Sequence, residues 1–170
     1  LTTDRNTEQD WLKTNLARFT NMLQGQRDLT TVGRLLLSEL TPLVNAHQGV
    51  IYQREPDETE TLKLLATYAD VPQAHPQRLK IGQGLIGQCA EDRRRLLISK
   101  IPANATPITS GIFQAVPSSI IVLPVLFEGH VKAVIELASL GQFTELQQTF
   151  LDQLTASIGI VLNSIEATMQ

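Results

Sequence analysis

The chain has 170 residues, 42% hydrophobic and 18% charged, with a mean hydropathy of -0.01, the proportions of one soluble globular domain. A net charge of -3, from 14 Lys and Arg against 17 Asp and Glu, lacks the clustered basic excess of a nucleic-acid binder. The single cysteine, Cys89, excludes an intrachain disulfide framework and a Cys-built zinc site, and three histidines make a His-rich metal centre unexpected. No apolar run approaches the ~20 residues of a membrane helix, and the polar first twenty residues lack the apolar stretch of a secretory signal. The composition reads as an intracellular-type α/β or α+β domain.

Residues 7–24 carry Leu12, Leu16, Phe19 and Leu23 at helical spacing. The stripe is narrow: either the seam of a helix pairing with a second copy, or a helix packed on its own domain. Gly25 is a stop signal. Asp28 can cap a second helix reaching about Ala46. Its broad face of Leu29, Val32, Leu36, Leu40 and Val44 suits a sheet, and Pro42 predicts a kink or an early end.

The period then changes. Residues 48–53 and 61–68 read as a strand pair joined by a polar, Pro-containing turn, and residues 78–81 as a short strand. Gly82, Gly84 and Gly87 lead into a short helix over 85–90, followed by a strand over 95–99. Three prolines and Gly111 make 100–117 a long loop. Residues 118–127 are apolar on both faces, as in a central strand. The turn Glu128-Gly129 returns the chain antiparallel over 130–138. Pro124 inside the first of these strands requires a bulge or an unpaired edge. Thr144 and Gln147 form a capping box for a last helix carrying Phe150, Leu151, Leu154, Ile158, Val161, Leu162 and Ile165. Hairpins in the middle and helices at both ends predict an α+β fold, an antiparallel sheet with helices on one face.

The residues that invite chemistry each have a plain alternative. Gly82, Gly84 and Gly87 match G-x-G-x-x-G, but no βαβ unit surrounds them, so their role is read as backbone freedom and close packing. His47, His75 and His130 have no metal spacing and read as surface or capping residues. Arg93, Arg94 and Arg95 read as a solvated corner, with an anion or partner contact as the alternative. Glu136 lies mid-strand between Ile135 and Leu137; it either faces solvent or is held by a partner and lines a pocket. Ser110, Ser118 and Ser119 could offer hydroxyls to a ligand or serve turns. No Ser-His-Asp or Cys-His arrangement is readable, and no paired carboxylates flank a cleft, so no catalytic residue is expected.

In order along the chain, Ile81-Gly-Gln-Gly-Leu-Ile-Gly87, the hairpin Ile121 to Leu137, and the segments Phe143-Thr-Glu and Phe150-Leu-Asp-Gln-Leu154 resemble the GAF domains of bacterial sensor histidine kinases, hybrid kinases included. The likeness spans about Asp28 to Ala167. It implies a six-stranded antiparallel sheet with helices on one side and a small-molecule pocket on the other, under a loop-and-helix lid. Pocket candidates on that lid side are Tyr68, Leu85, Cys89, Ser110, Phe113, Ser119 and Glu136. Residues 1–27 would be a linker or dimerisation helix and 28–170 the sensory domain. A parallel homodimer is expected through Leu12, Leu16, Phe19 and Leu23 with Leu154, Ile158, Val161 and Ile165.

The resemblance further implies a regulatory fragment of a longer kinase, not itself an enzyme, set in the cytoplasm even where the parent is membrane-anchored. No nucleic acid, membrane contact or metal is expected, and the cofactor is unknown. Bilin attachment is disfavoured because Ala90, not His, follows Cys89. The alternatives are a GAF-fold enzyme of the methionine sulfoxide reductase type, which needs more than one cysteine for disulfide turnover, or the effector domain of a transcription regulator. The cyclic-nucleotide signature N-K-x-F-x-x-x-D-E is absent from the sequence.

Overall fold

The computed structural model describes residues 2–56, 60–70 and 74–168. Helices α1 (Thr2–Leu23) and α2 (Leu29–Leu43) precede strands β1 (Gln48–Arg54), β2 (Thr61–Tyr68) and β3 (Arg78–Lys80). Helix α3 (Gly84–Asp92) and strands β4 (Leu96–Ile98), β5 (Ile108–Thr109) and β6 (Gln114–Ala115) follow. Strands β7 (Ser119–Phe127) and β8 (His130–Ser139) and helix α4 (Glu145–Thr168) complete the chain. The main sheet has six strands in the order β3-β2-β1-β8-β7-β4, and every pairing in it is antiparallel. The expected α+β architecture is what forms. Two boundaries differ: α1 starts at Thr2, because no Gly or Pro breaks it before Gly25, and the 100–117 loop contains the small β5–β6 ribbon.

Local signals act where the sequence puts them. The Asp28 carboxylate accepts from the Thr31 backbone N–H at 3.1 Å and from its hydroxyl at 2.7 Å. These bonds, the hydroxyl's first, hold that carboxyl below the usual range. Thr144 and Gln147 exchange reciprocal bonds of 2.9 and 3.1 Å, closing the capping box. Glu128 and Gly129 both take positive φ, as a primed two-residue turn requires. Pro124 sits beyond the last residue that β4 pairs, Val122, so β7 is an edge on that side. One residue further on, between Val125 and Leu126, a bulge leaves Lys132 unpaired.

Side-chain alternation divides the sheet into two cores. Ile51, Ile121, Leu123, Ile135 and Leu137 pack with α2, α4 and α1. Val50, Tyr52, Val122 and Val134 form a smaller cluster with Ile86, Cys89 and Ala90 of α3 on the other face. Both faces of β7 are therefore buried, as its sequence predicts. α4 lies so close to the sheet that a Cβ at Gly159 would stand 2.1 Å from the Leu126 carbonyl oxygen.

The apolar stripe of α1 packs largely within the chain itself. Phe19, Leu23, Leu154, Ile158 and Ile165 are all buried within the chain's own core. Leu12, Leu16 and Val161 are partly buried against it. The Phe150 ring meets Trp11 at 5.1 Å and Phe19 at 5.8 Å between centroids. The stripe is narrow because α1 rests mainly on one helix, α4, rather than on the broad sheet.

Candidate functional site

A cavity of about 430 Å³ opens on the sheet face that carries α3, within the size range of small-molecule sites. Its floor is Gln48 of β1, Ile120 of β7, and Glu136 and Ala138 of β8. Register explains the grouping: Gln48 and Ile120 both pair with Ala138, so these side chains share one face. One wall is the segment bearing Ala74 and His75, together with Leu79 of β3. Tyr52 anchors that segment by donating its hydroxyl to the Pro76 carbonyl at 2.6 Å, and the Leu64 amide donates to Gln77 at 2.8 Å. Ala105, Thr106 and Pro117 of the long connection form another part of the rim.

The start of α3, from Gln83 to Ile86, supplies the remaining wall. Here the glycines do what the sequence implies. Gly82 and Gly84 have φ of 89° and 67°, and a Cβ on Gly87 would stand 2.5 Å from the Lys80 carbonyl oxygen. A side chain at Gly87 would push α3 away from the turn that places Leu85 and Ile86 on the cavity.

Among the described residues, Glu136 is the only acidic side chain lining the cavity, and no Lys or Arg lines it. Burial raises its carboxyl from 4.5 to about 7. Burial first, then the Glu136 and Asp70 charges, push the Tyr52 phenol to about 12. Buried His75 Nε2 has no hydrogen-bond partner among the described residues and lies 3.6 Å from Asp70 Oδ1. Among the described residues no three His, Cys, Asp or Glu converge as a metal site would require, and no helix is long and apolar enough to cross a membrane.

Of the seven pocket candidates, the structure brings Leu85 and Glu136 to the cavity. Tyr68 is corrected: it packs on the helix-covered core. Cys89 is fully buried in the second core, donates to the Arg94 carbonyl at 3.3 Å, and has its thiol pushed up to about 12 by burial and then Asp92. The Ser110 hydroxyl accepts from the Ile112 and Phe113 amides, which makes it a turn residue. Phe113 is exposed beside it at the ribbon's end. Ser119 is buried and donates to the Gly141 carbonyl at 2.7 Å.

His75 and Gln48 were missed because nothing in their sequence neighbourhood signals a pocket; strand register and the Tyr52 anchor bring them there. His47 accepts from the Leu140 amide, a capping role. The three arginines are exposed, Arg93 donating to Gly129 and Arg95 pairing with Gln148 and Asp152.

The sequence profile of the GAF domain matches residues 26–163. The chain belongs to the GAF domain family. No curated protein matches it in sequence. Solved structures show the same fold at low identity. The GAF domain of a phosphoenolpyruvate-protein phosphotransferase from Coxiella burnetii is 18% identical, with a TM-score of 0.75 over 92% of this chain and 95% of that one. Free methionine-R-sulfoxide reductase from Neisseria meningitidis, in complex with its substrate, is 15% identical, with a TM-score of 0.72 over 90% and 89%. Residues 122 to 287 of a methyl-accepting chemotaxis protein are 18% identical, with a TM-score of 0.66 over 88% and 98%. Identities this low establish a shared GAF fold and no shared activity.

Proposed function

We propose that this GAF domain is the cytoplasmic small-molecule sensor of a signalling protein, a sensor histidine kinase by the likeness of its motifs. The observation that carries the reading is the course of β8 between cavity and helices. Glu136 and Ala138 line the cavity, while the alternate residues Ile135 and Leu137 pack in the core with α4. A ligand that displaces β8 must therefore repack the contact with α4, whose ends would carry the change to an output domain. A transcription regulator would use the same device with a different neighbour, and the full-length gene product separates the two.

Native mass spectrometry of freshly purified protein tests the sensor reading. A bound small molecule is expected, and Ala138→Phe, which fills the cavity floor, should abolish it. No adduct, together with no thermal stabilisation by any member of a metabolite library, would refute it.

A reductase is the second reading, favoured by the fold shared with the solved sulfoxide reductases. The one thiol available to it is buried outside the cavity. Turnover of free methionine sulfoxide that disappears in Cys89→Ser would establish the enzyme instead. Pairing of two copies is retained as a proposal on what α4 leaves outward, foremost Ile160 at 61% exposed. Sedimentation of Ile160→Glu against the unaltered chain checks it, with a dimer lost on substitution as the expected result.

A further inference from the structure

We propose that the cavity recognises a ligand bearing a protonated amine, with the ammonium set against Glu136 and an apolar body against the surrounding walls. This rests on the reading of the cavity as the sensory site and names the chemistry that the site selects.

The first ground is the isolation of the carboxylate. Other partly buried carboxylates in the chain have cations: Glu166 bonds Lys132 at 2.9 Å, and Glu55 bonds Arg78 at 2.8 Å. Glu136 has none. Among the described residues it makes no hydrogen bond or ion pair, and the imidazole on the same cavity has Asp70 as its nearest acidic partner. Glu136 is half-buried on the cavity; a carboxylate partly shielded from water without a partner is costly, and a hydrogen-bonding cation offsets that cost better than any neutral group. The protein holds the acid in place and leaves the counter-charge to come from outside.

The second ground is what surrounds it. Leu79, Leu85, Ile86, Ile120 and Ala138 are cavity walls with no charge of their own, suited to a short aliphatic or aromatic body. Leu85 is 46% exposed with the cavity open, so a ligand has apolar surface to cover at the mouth as well as a charge to meet at the floor. The start of α3 on the rim favours negative charge. A wholly anionic ligand would nevertheless have to approach the fixed carboxylate of Glu136 in a cavity where, among the described residues, no Lys or Arg balances it.

Calorimetric titration at pH 8 with probes of one shape and three charges tests the proposal: 3-phenylpropylamine, 3-phenylpropanol and 3-phenylpropanoate, with the four-carbon series butylamine, butanol and butanoate as a smaller set. The amine of at least one set is expected to bind at least tenfold more tightly than its alcohol, and the acid more weakly than either. Glu136→Gln, nearly isosteric and free of the buried charge, should reduce the amine to the affinity of the alcohol; circular dichroism verifies its fold. An alcohol or acid binding as tightly as its amine, or an amine whose affinity survives Glu136→Gln, overturns the amine proposal and leaves the cavity reading standing. Failure of all six probes to bind the unaltered protein overturns the amine proposal and counts against the cavity as a sensory site as well.

Discussion

The Trp11 indole and the Phe150 ring meet in a T-shaped contact, with centroids 5.1 Å apart and planes inclined by 69°. The contact joins the first helix to the last within one chain and determines what mutations along the stripe should do. Phe150→Ala empties a fully buried site and should cost about 3–5 kcal/mol in urea unfolding. Ile158→Glu places an unpaired charge where no surface is exposed, a loss comparable to a typical domain's whole stability. Sedimentation and circular dichroism should therefore find that variant largely unfolded. A folded Ile158→Glu monomer with native stability would contradict the intrachain packing.

Gly159 should tolerate no side chain. Alanine is the better helix former by about 1 kcal/mol, yet its Cβ would lie 2.1 Å from backbone oxygen in β7. The expected outcome of Gly159→Ala is a net destabilisation of at least about 1–3 kcal/mol, read from thermal or urea denaturation. Gly25→Ala is the control, because nothing stands within 4 Å of its Cβ position; its φ of +84° makes any loss there one of backbone strain alone.

Glu136 should make stability fall as the pH rises. Its folded value of about 7 lies above the ordinary 4.5, so between those two values the folded state holds the proton more tightly than the unfolded chain. The contribution is fully present below about 4.5 and is lost as the pH passes through 7. In ligand-free protein the full difference is about 3 kcal/mol. Urea denaturation at pH 5 and pH 8 should show this fall in the unaltered chain and a much flatter response in Glu136→Gln. An equal fall in both would assign the effect to other groups.

The Cys89 thiol should be silent in the folded protein. It is fully buried and raised to about 12, so almost no thiolate exists at neutral pH. Labelling with a thiol reagent at pH 8 should be slower by several orders of magnitude than in urea, following global opening. Rapid native labelling would place the sulfur at the surface and reopen a redox role.

The sequence by itself determined the elements, because their signals are local. The Asp28 cap, the Thr144–Gln147 capping box, the turn at Glu128-Gly129 and the double-faced apolar run of β7 each act within a few residues, and each forms as read. Periodicity also found the buried side of α1, since an apolar stripe must be covered by something. Periodicity says nothing about what covers it. A seam between copies and a fold-back onto α4 draw on the same residues, and only the tertiary structure shows the fold-back.

The cavity was legible at Leu85 and Glu136 alone. Glu136 stood out because an acid between apolar neighbours on a central strand conflicts with its surroundings. Gln48 and His75 carry no such conflict in sequence. They become neighbours of Glu136 through the β1–β8 register and through one long-range hydrogen bond from Tyr52 to Pro76. Side-chain type and local spacing fix which residues are apolar and where elements start and stop; non-local pairing fixes which residues share a surface, and a binding site is a property of that surface.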